Sequence, residues 1–156
     1  AGFDLVLLDT PSGLGLATRA AFSVADFVLV PVAAETLSLR SVSQVFRVLD
    51  HVRREENPRL ALLGILPTMV EKGRPSSLSI LGEIWNGFGG ALESIIPRVD
   101  TFNEASRRGL PVSFLPGPVS PEARLFELLA AEVETQIRKR TPGAVPEEGR
   151  PQRELL

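Results

Sequence analysis

Apolar residues are arranged along this chain in two alternating patterns, short unbroken runs and longer stretches with helical spacing. Phe3 to Leu8 is an apolar run, interrupted at Asp4 and ending at Asp9, followed by a Pro/Gly turn and a helical stretch from Leu14 to Val24. Asp26 leads into a second run, Phe27 to Val30, closed by Pro31. From Leu39 to Arg54, Val42, Val45, Phe46, Leu49 and Val52 fall at helical intervals until Asn57-Pro58 interrupts them. A third run spans Leu60 to Leu66, and Pro75 to Phe88 reads as a helix with Leu78, Leu81, Ile84 and Trp85 on one face. The remainder predicts a short strand at Ser94–Ile96, a short helix at Phe102–Ser106, a strand at Val112–Leu115 and a helix from Pro121 to Arg138.

Strands apolar on both faces and separated by helices predict an α/β fold, a mostly parallel sheet with helices on both faces. Right-handed crossovers then bring the C-terminal ends of the strands to one edge, where such folds bind ligands. Residues 1–140 read as one unit, and no internal repeat is visible. Residues 141–156, rich in Pro, Glu and Arg and lacking periodicity, read as a disordered tail. The chain opens Ala-Gly-Phe-Asp directly into a core-type run, which reads as a piece of a longer chain.

Composition narrows the class. A chain of 156 residues is long enough for one domain with a real core, and 44% apolar with 23% charged residues is the balance of a globular protein. A net charge of −2 leaves no global basic field, so any nucleic-acid contact must be a local patch. The absence of cysteine excludes disulfides and thiolate metal sites and fits a reducing compartment. No apolar run approaches the roughly 20 residues of a membrane span.

The densest chemistry lies in Asp9-Thr10-Pro11-Ser12-Gly13-Leu14-Gly15. Four apolar residues ending in an acid place a carboxylate at a strand end, where it can hold the water shell of Mg²⁺ beside a nucleotide's phosphates. The same string also describes a strand that simply ends in Asp. The turn is suited to changing shape, because Pro11 fixes one dihedral while Gly13 and Gly15 leave others free.

Asp-Thr-Pro with Ser12-Gly13 and Leu14-Gly15 resembles the switch II signature of the ParA/MinD deviant Walker ATPases. Three later blocks resemble the same family in the expected order. They are Ala25-Asp26-Phe27-Val28-Leu29-Val30-Pro31-Val32 with Glu35 to Arg40, Gly64-Ile65-Leu66-Pro67-Thr68-Met69, and Ile96-Pro97-Arg98 with Glu104-Ala105, Gly109, Pro111 and Val112. Ile-Pro-Arg in the last block favours the ParA/Soj branch. The resemblance implies a P-loop NTPase-like fold of the SIMIBI type, here without the N-terminal P-loop strand and helix. It also implies an ATP- and Mg²⁺-driven homodimer that binds DNA non-specifically, with a ParB-type partner stimulating hydrolysis, in the cytoplasm and on the nucleoid rather than at a membrane.

Carried over by position, Asp9 orients the Mg²⁺ shell and belongs with Thr10 and Pro11 to the catalytic switch. Thr68, Met69, Pro97 and Arg98 line the adenine side, and Arg74, Arg98, Arg107 and Arg108 contact DNA. Each has an ordinary counterpart. Thr68 and Met69 end a core strand, Pro97 terminates one, and Arg107 and Arg108 complement a helix dipole. Glu35 serves either a dimer partner or a helix N-terminus. Arg138, Lys139 and Arg140 read as a solvated helix end, and His51 has no partner at metal-ligand spacing.

The family's phosphate loop, K-G-G-x-G-K-[ST], has no counterpart in this sequence. The expectation is that this chain alone neither binds ATP tightly nor hydrolyses it. Loss of the sheet's central strand also implies an apolar edge that dimerises, pairs with a second chain or aggregates. Two other readings remain: a non-catalytic DNA- or partner-binding module, and a MinD-like or cellulose-synthesis-type positioning ATPase. The tail lacks the amphipathic pattern of a membrane-targeting helix, which counts against the latter.

Overall fold

The structure, a computed structural model, describes residues 2–87 and 90–141. Strand β1 (Phe27–Ala33) and strand β2 (Ala61–Thr68) pair in parallel, from Phe27 against Ala61 to Ala33 against Thr68, with an irregularity between Val28 and Leu29. Pro31 does not close β1 but sits within it, opposite Leu66. A proline lacks the N–H for a second ladder, which suits β1's place as an edge strand among the described residues.

Helix α1 (Leu16–Val24) precedes β1, and α2 (Thr36–Glu55) forms the crossover to β2. Helices α3 (Pro75–Gly87), α4 (Asp100–Arg108) and α5 (Pro121–Arg140) follow. On one face of the sheet Val28, Val30, Val32 and Ile65 pack with Phe22 of α1, Val42, Leu49 and Val52 of α2, and Ile80 and Ile84 of α3. The other face brings Leu66 and Leu29 against Leu129 and Val133 of α5, together with Leu92. The sheet is thus covered on both faces, as the continuous apolar runs require. Helix α3 turns differently from the sequence reading. Ser77, Ile80, Leu81 and Ile84 are buried, while Leu78 and Trp85 sit at its exposed margin. Trp85 remains anchored by an Nε1–H bond to the Leu92 carbonyl at 3.1 Å.

Side chains join the elements where backbone groups run out of partners. Asn57, buried after α2, donates to the carbonyls of Phe22 (3.0 Å) and Ala25 (2.7 Å), groups that the end of α1 leaves unpaired. Arg19 of α1 pairs with Glu56 and meets His51 Nε2. Ser120 caps α5 by accepting from the Ala123 amide, with Pro121 in the first turn. Helix α4 ends on Gly109, whose φ of 65° lets its amide reach back to the Ala105 and Ser106 carbonyls.

Three sequence expectations are corrected. Phe3–Leu8 is not a strand: the segment has no ladder partner, and Phe3 and Leu7 are 82% and 81% exposed. An apolar run becomes a strand only when a neighbour supplies hydrogen bonds, and no described segment does so. Val112–Leu115 is not a strand either. It begins with a 3-10 turn (Val112–Phe114), since the Phe114 amide donates to the Pro111 carbonyl at 2.9 Å. Ser94–Ile96 lies alongside β2 without a continuous ladder. The amides of Ile96 and Arg98 donate to Pro67 (2.9 Å) and Val70 (3.0 Å), but those of Glu93 and Ser94 are taken by the Glu132 carboxylate of α5 at 2.7 and 2.9 Å. Helix ends also shift: α1 begins at Leu16 rather than Leu14, while α2 begins earlier at Thr36, α4 covers Asp100–Arg108 and α5 reaches Arg140. The tail from residue 142 onward and Phe88 lie outside the described residues.

Candidate functional site

The predicted residues fall into three groups. The first is the turn at Asp9–Gly15, which bends from Ser12 to Gly15, is mostly exposed and is attached to α1 by one buried side chain. Thr18, 5% exposed, donates its hydroxyl to the Gly13 carbonyl at 2.8 Å, with the Pro11 carbonyl 3.4 Å away. A threonine three residues into a helix thus holds the turn against the helix start. The sequence reading passed over Thr18; a small polar residue among apolar helix positions was its only signal. Asp9 itself is solvent-exposed and carries no ion pair among the described residues.

The second group forms where β1, β2 and the segment after Ala91 end together. The Ala34 amide donates to the Thr68 carbonyl at 2.9 Å, which joins the ends of β1 and β2. Val70 then donates to Ile96 at 3.1 Å and accepts from Arg98, so Pro97 and Arg98 lie beside Thr68–Val70. Met69, between them, has a φ of 55° and a half-exposed side chain. A non-glycine residue in this region carries backbone strain, which places a local distortion at the strand-end edge. Gly64 makes the approach possible. A Cβ there would lie 2.7 Å from Leu92 Cδ2 and 3.0 Å from the Gly90 carbonyl oxygen, so the glycine in Gly-Ile-Leu is required by close packing.

This edge is charged as well as strained. Arg98 Nη2 donates to Glu35 Oε1 at 2.9 Å, and Arg98 Nε lies 3.4 Å from Glu71 Oε1. Arg74 Nη1 is 3.6 Å from the same Glu71 oxygen. Glu35 precedes α2, Glu71 follows β2 and Arg74 precedes α3, so one network ties four segments. Thr68, Met69, Pro97, Arg98 and Arg74 are therefore brought together. No hydrogen bond or ion pair joins the Asp9–Pro11 turn to them.

The third group is on α4, where Arg108 pairs with Glu104 at 2.7 Å while Arg107 has no ion pair among the described residues. An open groove of about 730 Å³ between α2 and α3, reached by Arg40, Ser43 and Glu83, includes none of the predicted residues. No group of three or more His, Cys, Asp or Glu among the described residues could hold a bare metal ion. Asp9 offers a single exposed carboxylate at the head of the turn. The lysine-bearing phosphate loop K-G-G-x-G-K-[ST] has no match in the sequence, so the residues present do not make a complete nucleotide–Mg²⁺ site.

Comparisons with known proteins bear on the class first. The fold is similar to that of the cell division ATPase MinD from Pyrococcus furiosus, with a TM-score of 0.64 at 26% identity over 85% of this chain and 52% of that one. It is also similar to cobyrinic acid a,c-diamide synthase from Mycobacterium smegmatis, solved with bound ADP and magnesium, with a TM-score of 0.57 at 31% identity over 69% of this chain and 49% of that one. The class is thus the α/β fold of P-loop ATPases. The family described as an AAA domain matches residues 1–62.

In sequence, the chain is 36% identical over 139 residues to the chromosome-partitioning ATPase Soj of Thermus thermophilus, covering 88% of this chain and 55% of that protein. It is 30% identical to the sporulation initiation inhibitor protein Soj of Bacillus subtilis over 84% of this chain and 52% of that one. The chain belongs to the ParA/MinD family of ATPases, on its Soj/ParA side, and spans about half the length of these curated relatives. No helix among the described residues is long and apolar enough to cross a membrane.

Proposed function

We propose that this chain carries the switch and the strand-end edge of a ParA-like ATPase that partitions chromosomes or plasmids. In this reading Asp9 holds a Mg²⁺-bound water, Thr10 and Pro11 respond to the γ-phosphate, and Thr18 keeps their turn seated on α1. Thr68, Met69, Pro97 and Arg98 face the adenine side of ATP, whose phosphates are held by a loop this sequence lacks. Bound nucleotide and Mg²⁺ supply the phosphoryl-transfer chemistry; this chain's residues orient and sense it. The active form is a homodimer that binds DNA through Arg74, Arg98, Arg107 and Arg108, answers to a ParB-type partner, and acts in the cytoplasm on the nucleoid.

The observation that carries this reading is the convergence of Thr68–Met69 with Pro97–Arg98 at one sheet edge, four residues drawn from two separate family-like blocks. Phosphate contacts by scattered arginines carry no sequence information, and they make affinity fall steeply with salt. Duplexes of unrelated sequence should therefore bind the chain equally. Binding should weaken as salt rises and be lost when Arg74 and Arg98 are replaced by Glu. Sequence preference, or binding indifferent to salt and to both replacements, would refute the DNA contacts.

A further inference from the structure

Of the four arginines assigned to DNA, three are already engaged by acids. Arg98 is held by Glu35 and Glu71, Arg74 by Glu71, and Arg108 by Glu104. The Glu104–Arg108 pair is an ordinary one-turn helix pair, of the kind that also joins Glu134 and Arg138. The Arg98 network differs, because its two carboxylates come from loops remote in sequence and converge on one guanidinium from the ends of β1 and β2. Two arginines and two glutamates cancel, so the strand-end edge presents no net charge from these groups. A carboxylate and a phosphate oxygen compete for the same guanidinium N–H groups.

We propose that Glu35 and Glu71 are built-in competitors of nucleic-acid phosphate for Arg98 and Arg74. They hold the two guanidiniums in place and set how strongly that surface binds a polyanion. The inference rests on the DNA reading above and adds the two residues that limit it. Neither acid is buried, and each pair is half exposed, so each carboxylate opposes phosphate by the modest amount of a surface ion pair. Removing Glu71 takes away the acid that holds Arg74 and one of the two that hold Arg98, and removing Glu35 leaves Arg98 held by Glu71 alone, so either change makes guanidinium N–H groups available to phosphate. Binding should tighten about two- to fivefold at fixed low salt, and the slope of log K against log salt should steepen by up to about 0.9 for one added contact.

The test is fluorescence anisotropy of a labelled random-sequence duplex titrated with the 156-residue chain across a salt series. It compares wild type with Glu35→Gln, Glu71→Gln, Arg98→Glu and Glu134→Gln, each checked for folding by circular dichroism. Glu134→Gln makes the same change in net charge away from the network. The inference predicts tighter binding and a steeper slope for Glu35→Gln and Glu71→Gln, a smaller gain for Glu134→Gln, and loss for Arg98→Glu. Loss with Arg98→Glu but unchanged or weaker binding in both glutamine variants overturns the competition while leaving the DNA reading intact. An equal gain in Glu134→Gln overturns it in favour of a general charge effect. No binding by wild type, or unaltered binding by Arg98→Glu, overturns the DNA reading and the inference with it.

Discussion

Replacing Gly64 by Ala tests the packing on which the strand-end edge depends. The new methyl would lie 2.7 Å from Leu92 Cδ2 and 3.0 Å from the Gly90 carbonyl oxygen. Neither neighbour is free to retreat. Leu92 is fully buried, and the Gly90 carbonyl accepts the Ile65 amide at 3.0 Å. Overpacking of this kind costs about 1–3 kcal/mol. Gly64 lies outside the left-handed region, so alanine fits its backbone and lowers the entropy of the unfolded chain, contributing about 0.4–1 kcal/mol in the other direction. From the middle of each range the net loss is about 1.3 kcal/mol, a fall of about 0.7 M in the urea midpoint for a slope near 2 kcal/mol per M. Trp85 is the only tryptophan and donates to the Leu92 carbonyl, so its fluorescence reports on the displaced segment. Adding Leu92→Ala, which makes room, should cost less in the Gly64→Ala background than in wild type. A Gly64→Ala variant more stable than wild type would show that the approach is slack, and would remove the physical account of that glycine.

Two further outcomes are expected. Burial pushes the Glu132 carboxyl up, but hydrogen bonds from the Ser94 side chain and the Glu93 and Ser94 amides outweigh it and hold the group below the usual glutamate range. A depressed folded-state value means stabilisation that is complete above the unfolded value of about 4.3 and is lost as pH falls through the folded one. Wild type should therefore lose stability from about pH 5 downward. Glu132→Gln should be less stable at pH 7 with a flatter acid limb, and parallel limbs in urea titrations would contradict this. Thr18→Val should cost about 0.5–1.5 kcal/mol and speed hydrogen exchange of the Arg19 amide, which donates to the Gly15 carbonyl at 3.0 Å, with Thr18→Ser restoring protection; equal exchange in all three proteins would show that the hydroxyl does not hold the turn.

The parts of the fold legible in the sequence were those whose stability comes from burial. β1 and β2 are unbroken apolar runs, and α2 repeats its apolar residues at helical spacing because both pack into one core. What the pattern could not show is where backbone hydrogen bonds find their partners. Phe3–Leu8 has a strand's composition but no ladder partner among the described residues, and Glu93–Ser94 surrender their amides to a glutamate on α5. The site was legible in residue type and only partly in arrangement. Thr68, Met69, Pro97 and Arg98 stood out by family resemblance, and the backbone brings them together. Capture of Arg98 by Glu35 and Glu71 joins loops far apart in the chain, and no local pattern encodes such a contact.

The central claim, that this chain holds the switch half of a nucleotide site and lacks the phosphate cradle, is tested most directly by MgATP turnover. The purified chain should show no saturable, Mg²⁺-dependent hydrolysis by itself. Mixed with a polypeptide carrying the K-G-G-x-G-K-[ST] strand and helix of a Soj-type relative, it should gain turnover that Asp9→Ala abolishes. Saturable turnover by the chain alone, or turnover in the mixture indifferent to Asp9, would contradict the account.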